Sequence, residues 1–108
     1  MPTPAALHVL LALASADMHG WAILKEVSAS TDGRIRLSAG TLYGLVKRLS
    51  DQGLIAESEH RPPAHWDDQR RRYYRLTELG RSVAEAELGR LERVLTVARS
   101  TDLRPSEG

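Results

Sequence analysis

The pattern of apolar and polar positions predicts three helices in the first half of the chain. The first covers residues 5–14 after an N-cap at Thr3 and is apolar on almost every side. The second covers residues 21–29, and the third runs from an N-cap at Ser38 to about Gln52. Because a helix that is apolar all round must be covered all round, the first helix predicts a second chain as well as a core.

The third predicted helix has one apolar stripe and one side almost without side chains. The stripe follows helical spacing and consists of Leu42, Leu45, Val46 and Leu49. The opposite side presents Gly40, Gly44 and Lys47, with Tyr43 at one edge and Thr41 and Arg48 at the other. Gly53 is predicted to end this helix as its C′ residue.

Two short strands and a long helix are predicted in the second half. The strands cover residues 54–59 and 71–76, and the turn-forming segment 61–69 between them is typical of a hairpin tip. The helix begins after an N-cap at Thr77 and ends near Ser100. Residues 101–108 are predicted to form a disordered tail.

The long helix has two apolar stripes. The stripe predicted to dock on the rest of the domain consists of Leu76, Leu79, Val83 and Ala86. The second repeats at intervals of four and three, as in a coiled coil, and consists of Ala84, Leu88, Leu91, Leu95 and Ala98. The second stripe and the first helix therefore supply the predicted dimer interface, formed by Leu7, Leu10, Leu11, Leu88, Leu91 and Leu95.

The distribution of charge points to a polyanionic partner. The net charge of the chain is +1, but residues 34–75 contain nine Lys and Arg against five Asp and Glu, a net charge of +4. A basic segment of this kind favours nucleic acid as a partner.

Several classes of protein are excluded by the composition. The chain has no cysteine, which excludes disulfides, cysteine-ligated zinc and thiol nucleophiles. No nucleophile–base pair, phosphate-binding loop or acid dyad is present at a meaningful spacing, so we reject an enzyme. The chain has no apolar segment long enough to span a bilayer, and its N-terminus lacks the positive charge of a signal peptide. These absences predict a soluble cytoplasmic protein, and a nucleic-acid partner would associate it with the nucleoid.

The order of these elements is that of a winged helix-turn-helix protein. We expect a mainly α fold with a small two-stranded antiparallel wing, a DNA-binding domain over residues 1–76 and a dimerisation helix over residues 77–100. The third helix would enter the major groove, with Gly40 and Gly44 leaving its backbone bare and Ser38 and Thr41 offering hydroxyls. The wing would neutralise phosphates with Arg61, Arg70, Arg71, Arg72 and Arg75.

Three segments of the sequence resemble the PadR-like family of transcriptional regulators. They are HGWAI at residues 19–23, RIRLSAGTLYGLVKRLSDQGLI at residues 34–55 and RRRYYRLTELG at residues 70–80. The resemblance implies a homodimeric repressor that binds a short inverted repeat and dimerises through its first and last helices. It also implies that Ser38, Thr41, Tyr43 and Lys47 meet DNA, and that a small aromatic or lipophilic effector binds near the dimer interface. The single C-terminal helix is similar to the short branch of the family.

Some residues have two interpretations. Tyr43 could contact DNA or pack along the helix flank, and Trp21 is more often a core residue than an effector contact. His8 is favoured as a satisfied interface histidine over an effector contact or a pH switch. Trp66 would be exposed at the hairpin tip, where His60, His65, Asp67 and Asp68 are more typical of polar surface than of a metal site.

The alternative function is a winged-helix module for protein–protein contacts with little DNA binding. It would share the fold and differ in having weak DNA affinity that salt removes. The basic middle segment and the bare face of the third helix favour the DNA-binding regulator.

Overall fold

The computed structural model describes residues 2–59 and 72–106 of the chain, which are mainly helical with a small antiparallel sheet. The elements, in chain order, are α1 (Pro4–Ser15), β1 (Met18–His19), α2 (Gly20–Ser30), α3 (Ala39–Asp51), β2 (Ile55–Glu57), β3 (Tyr73–Leu76) and α4 (Glu78–Ser100). Helix α3 and strands β2 and β3 follow α2 in the order that the sequence predicts for a winged helix-turn-helix domain.

The N-caps that the sequence predicts are present. Thr3, Ser38 and Thr77 each accept a hydrogen bond from the backbone N–H three residues later, at 3.2, 3.1 and 2.9 Å. Each hydroxyl satisfies a donor that the first turn of a helix leaves without an intrahelical partner, which stabilises the helix by about 1 kcal/mol.

Helix α3 ends in a Schellman motif. Gly53 has a φ of 77°, a conformation that a side chain disfavours. Its N–H donates to the Ser50 carbonyl at 3.0 Å, and the Leu54 N–H donates to the Leu49 carbonyl at 2.9 Å. The predicted C′ glycine is therefore confirmed, and the chain turns directly from α3 into β2.

In the described part of the chain β2 and β3 pair antiparallel as the predicted two-stranded wing, and a third strand, β1, which the sequence did not predict, adds to the sheet. Strand β3 is central and pairs antiparallel with β2 on one edge and with β1 on the other. In the second pairing Met18 lies opposite Tyr74 and His19 opposite Tyr73. Strand β1 has only two residues, too short to show the alternation that marks a strand, and the sequence predicted only a helix break there.

The core lies between α1, α2, α3 and the sheet. Its fully buried large side chains are Val9, Leu10, Ile23, Val27, Leu42 and Ile55. Each stabilises the fold by roughly 1.5–3 kcal/mol relative to an exposed side chain. Leu7 and Leu10, both predicted at a dimer interface, belong to this core of the single chain.

Helix α4 docks by a face that matches the predicted stripe only in part, because Leu76 and Val83 pack against the core whereas Ala86 is exposed. Its buried residues are Gly80, Ala84 and Glu87, whereas Leu79, assigned to the docking stripe, is 54% exposed. Gly80 decides the face, because a Cβ at this position would collide with the carbonyl oxygen of Leu54. The helix thus approaches along the side where no side chain separates the two backbones.

Hydrogen bonds to the Leu54 carbonyl also fix Thr77, the residue that connects β3 to α4. The single Thr77 hydroxyl proton is shared between the Gly53 and Leu54 carbonyl oxygens, at 2.6 and 2.9 Å from Oγ1. The Thr77 N–H also donates to the Leu54 carbonyl, at 3.1 Å. The end of α3, the start of β2 and the start of α4 are therefore joined by one threonine.

Candidate nucleic-acid interface

The outer face of α3 is exposed and almost without side chains. The stripe predicted for this helix, Leu42, Leu45, Val46 and Leu49, is buried, which turns the opposite side to solvent. Gly40 and Gly44 lie on that side, and no described atom beyond the helix backbone lies within 4 Å of where a Cβ would be. A partner can therefore approach the backbone of α3 closely at these two positions.

Two hydroxyl groups are fixed at the N-terminal end of this face. The Ser38 hydroxyl accepts from the Thr41 N–H at 3.1 Å and donates to the Thr41 hydroxyl at 2.9 Å. Both side chains are exposed. The pair is therefore pre-positioned to bond to a phosphate or a base edge without losing much rotamer freedom.

Lys47 supplies the positive charge of the outer face. Its Nζ lies 3.2 Å from Oδ2 of Asp51, one turn later, and both side chains are mostly exposed. An exposed pair at this spacing is worth about 0.3–0.5 kcal/mol. The pair orients Lys47 along α3, and a stronger anion can replace Asp51.

Tyr43 packs against the start of α2. A Cβ on Gly20 would lie 2.9 Å from the Tyr43 hydroxyl oxygen and 3.1 Å from the nearest ring carbons. The ring is half-buried, so packing along the helix flank is present. This contact fixes the distance between α2 and α3.

A cleft of about 490 Å³ separates α3 from the sheet. It is lined by Tyr43, Val46, Lys47, Ser50, Ile55, Ala56, Glu57, Arg72 and Tyr74. Burial raises the pKa of the Tyr74 phenol, and Arg72, which bonds to it, opposes the rise. The cleft brings a cation of the wing, Arg72, to the same groove as Lys47 of α3.

Of the other predicted wing contacts, Arg75 lies within the described residues. Arg61, Arg70 and Arg71 lie outside the described residues, as do Trp66 and the metal candidates His60, His65, Asp67 and Asp68. Arg75 is exposed on β3. Within residues 2–59 and 72–106, no group of three or more His, Asp or Glu residues could hold a metal ion.

Two further cations lie at the entrance to α3 and were not assigned from the sequence. Arg34 and Arg36 are exposed. The residue that follows each of them, Ile35 and Leu37, is half-buried and packs on the core. This alternation sends both arginines to the solvent side of the link that ends at Ser38. The alternating sequence was the available signal, but it predicted only an extended link.

Trp21 lies on the surface, and the preferred prediction of a core position is wrong. Its side chain is 60% exposed, because the buried stripe of α2 is Gly20, Ile23 and Val27. Nζ of Lys25 lies 5.4 Å from the centre of the Trp21 ring, within reach of a cation–π interaction. His8 is half-buried on α1.

The histidine before α2 acts as its N-cap. Nδ1 of His19 accepts from the Ala22 N–H at 3.3 Å, which requires that nitrogen to be unprotonated. Burial lowers the pKa of His19, and its ring meets that of Tyr73 edge-to-face with centres 5.3 Å apart. The start of α2 is thereby fixed against β3 as well as α3.

The second half of α4 carries an apolar surface, here called the α4 apolar face. It comprises Leu88, Leu91, Val94, Leu95, Val97 and Ala98. Val94 is 50% and Val97 65% exposed, whereas Leu91 and Leu95 are half-buried, as is Leu11 of α1. Leu88, Leu91, Leu95 and Ala98 of this face continue the side of α4 that docks in the core through Ala84. No helix in the described part of the chain meets the length and hydropathy needed to cross a membrane.

An ion pair between buried Glu87 and partly exposed Arg90 marks the border between the docked and the exposed parts of α4. Nε and Nη2 of Arg90 donate to the two carboxylate oxygens of Glu87 at 2.7 and 2.8 Å. These bonds lower the pKa of Glu87 against the opposing effect of burial. Glu87 is therefore ionised at neutral pH although its side chain is covered.

Comparison with known proteins agrees with the resemblance carried by the three sequence segments. The model of a family described as the transcriptional regulator PadR-like family matches residues 9–86. Uncharacterized protein X of Lysinibacillus sphaericus is 30% identical over 74 residues, which cover 68% of this chain and 65% of that protein. The match therefore spans slightly less than two thirds of this relative.

Two solved structures have the same fold. A transcriptional regulator from Clostridium thermocellum superposes with a TM-score of 0.70 at 25% identity, covering 89% of this chain and 87% of that one. A PadR family transcription regulator from Clostridium difficile gives 0.73 at 22% identity, covering 92% and 98%. The winged-helix architecture predicted from the element order is confirmed.

Proposed function

The chain belongs to the PadR-like family of transcriptional regulators, and from this membership we propose that it represses transcription as a homodimer bound to an inverted repeat in DNA. The observation that carries the proposal is the outer face of α3, where Gly40 and Gly44 leave the backbone open beside Lys47. A groove-binding helix needs this combination of close approach and positive charge.

The outer face of α3 would lie in the major groove. Its first turn would bring the hydroxyls of Ser38 and Thr41 to the backbone or to base edges. Lys47 would leave Asp51 and bond to a base edge such as that of guanine. Because the Lys47–Asp51 pair is exposed, breaking it costs little compared with the new contact.

Cations around α3 would hold the complex on the phosphate backbone. Arg72 faces the cleft beside Lys47, and Arg34 and Arg36 precede the N-terminus of the helix. Phosphate contacts of this kind supply affinity and salt dependence without reading the sequence. In this proposal residues 1–76 form the DNA-binding domain, which operates on the nucleoid in the cytoplasm.

The α4 apolar face would form the dimer contact. Its exposed members are Leu88, Val94 and Val97, while Leu91 of the same face and Leu11 of α1 pack against the core of the single chain. Leu11 can contribute at the edge of the contact. Residues 77–100 would thus serve for dimerisation. A homodimer would place two α3 helices about 34–36 Å apart, one turn of DNA. The buried Leu7 and Leu10 have no part in this contact.

The DNA-binding test uses fluorescence anisotropy with labelled DNA from upstream of the coding region and scrambled DNA as competitor. Lys47→Ala should weaken binding to the specific site by about tenfold and binding to the scramble much less, since a base contact is lost. Arg93→Ala is the matched control, because Arg93 is an exposed cation on α4, outside α3 and the wing. Equal affinity of the native protein for both DNAs at physiological salt would favour the protein-interaction module instead.

The dimer test is sedimentation of two aspartate variants. Val94→Asp places a charge on the α4 apolar face and should give a monomer, whereas Thr96→Asp changes an exposed position beside it and should leave the dimer intact. Dimers formed equally well by Val94→Asp would contradict the assigned interface.

A cavity behind α3 supports an effector as part of this proposal. It has a volume of about 270 Å³ and is lined by Pro2, Thr3, Ala6, Leu45, Arg48, Leu49, Gln52, Leu54 and Val83. An apolar floor with the Arg48 cation at its rim suits a small aromatic or lipophilic carboxylate. Trp21 and His8 do not line it.

Thermal unfolding with a panel of such carboxylates tests the effector. A compound that binds there should raise the unfolding temperature of the native protein and raise that of Arg48→Ala less. A shift that is the same in both proteins would rule out this cavity.

A further inference from the structure

Trp21 and Lys25 form an exposed pair on the first two turns of α2. Trp21 is 60% exposed although a large aromatic ring normally gains from burial, and Lys25 holds its ammonium group 5.4 Å from the centre of the ring. The pair combines an indole N–H, which is only a donor, with a cation. Both are suited to an anion.

The pair lies next to the outer face of α3. Gly20, the residue before Trp21, packs directly against the Tyr43 ring. Tyr43 is one turn before Lys47 and lines the same cleft. The buried contact between Gly20 and Tyr43 therefore holds the start of α2, where Trp21 is exposed, against the helix that carries Lys47.

The start of α2 is rigidly placed beside that surface. The His19 side chain caps α2 by accepting from the Ala22 N–H and meets the Tyr73 ring of β3 edge-to-face. Strand β1, which contains His19, is hydrogen-bonded to β3. The position of Trp21 is therefore fixed by α3 on one side and by the sheet on the other, the two elements that hold Lys47 and Arg72.

We propose that Trp21 and Lys25 bind the DNA phosphate backbone beside the groove that α3 enters. The indole N–H donates a hydrogen bond to a phosphate oxygen, and the Lys25 ammonium neutralises that phosphate or the next one. The inference rests on the proposed function, and it adds a contact on α2 that neither the groove face of α3 nor the wing provides.

The charge of Lys25 favours the DNA backbone as the occupant. Residues 1–33 have a net charge of −2, with one Lys against three acids, so Lys25 is the single basic residue of this segment. Its ammonium group lies over the exposed Trp21 ring, so the cation and the indole N–H are available to neighbouring anions. The contact should be independent of base sequence, because phosphates are common to all DNA.

The first test reads Trp21 directly. The chain has two tryptophans, so Trp66→Phe leaves Trp21 as the only indole fluorophore. Its quenching by acrylamide should fall by about half or more when saturating DNA, specific or scrambled, covers the ring. Unchanged quenching at saturation, while anisotropy of the labelled DNA shows the complex, would overturn the proposal and leave the proposed function intact.

The second test measures affinity and salt dependence. Trp21→Ala and Lys25→Ala should each weaken binding several-fold, about equally on specific and scrambled DNA. Lys25→Ala should also flatten the slope of log affinity against log salt by about one. Arg93→Ala, which removes the same charge from α4, should change neither.

The outcomes separate the two proposals. If Lys47→Ala weakens DNA binding but Trp21→Ala and Lys25→Ala keep the native affinity and salt dependence, the α2 contact alone is contradicted. No specific binding by the native protein would contradict the proposed function. Binding of a protein by the native chain that Trp21→Ala abolishes, with DNA affinity unchanged, would assign the exposed ring to a protein contact and overturn the DNA contact.

Discussion

The outer face of α3 and the first turn of α4 both contain glycine, for opposite reasons. At Gly80 a side chain would collide with the Leu54 carbonyl, so glycine permits the closest approach of two parts of the backbone. At Gly40 and Gly44 the described structure leaves open space, so glycine keeps a surface bare. The same residue type therefore marks a packing constraint in one region and a binding surface in the other.

The largest effect is expected at the packed glycine. Gly80→Ala should lower the free energy of unfolding by about 3 kcal/mol, because the added methyl group must displace α4 from the Leu54 carbonyl or strain both. Urea unfolding followed by circular dichroism measures the change. A midpoint equal to that of the native protein would show that α4 can shift at no cost.

Substitution of Gly20, a second packed glycine, should also lower the free energy of unfolding, but only while the Tyr43 ring is present. Gly20→Ala should cost about 1–2 kcal/mol, because its Cβ would lie 2.9 Å from the Tyr43 hydroxyl oxygen. In a Tyr43→Leu background the same change should cost much less, and a double-mutant cycle measures this coupling. Additive effects would refute the contact as the cause.

The open glycines should show the reverse behaviour. Gly44→Ala should raise the stability of the free protein by up to about 1 kcal/mol, since alanine is the better helix former and nothing described obstructs its methyl group. It should nevertheless weaken DNA binding, because the methyl group would hold α3 away from the groove. Gly89→Ala on α4 is the control, where a Cβ meets Arg93 only at 3.6 Å. It should gain stability and keep native DNA affinity.

The smallest effect is a dependence of stability on pH at the start of α2. Burial lowers the pKa of His19 in the folded chain below its usual value of 6.5, so the unfolded chain binds the proton more readily. The contribution is fully present above pH 6.5 and is lost as the pH falls through the folded pKa. His19→Asn keeps a capping acceptor but does not titrate, and it should lose less stability than the native protein between pH 7.5 and about 5. Parallel losses in both proteins would assign the effect to other groups.

Helix α3 was predictable because its structure depends on local sequence. The apolar stripe has one helical period, Ser38 is a strong N-cap, and Gly53 has the free backbone that a Schellman motif needs. The outer face follows from the same periodicity, so the candidate groove residues of α3 could be identified before the fold was known.

The features that the sequence did not predict depend on distant contacts. Strand β1 forms because β3 has a second edge to pair with, and two residues carry no periodic signal of that partner. Two apolar stripes overlap on α4, and the choice between them is made by the Leu54 carbonyl opposite Gly80. Trp21 was favoured for the core because it is large and apolar, whereas Gly20 and Ile23 face inward.

Helix α4 runs from the core of one chain into its apolar face, and in a homodimer this makes the stability of the protein depend on its concentration. In the proposed homodimer the same helix that completes the fold of one chain also joins it to the other, so association and folding share one element. Mass action then links the thermal midpoint to protein concentration, which a monomer would not show. A cell that lowers the copy number of this protein would at once reduce the occupancy of the operator and shorten the life of the remaining chains.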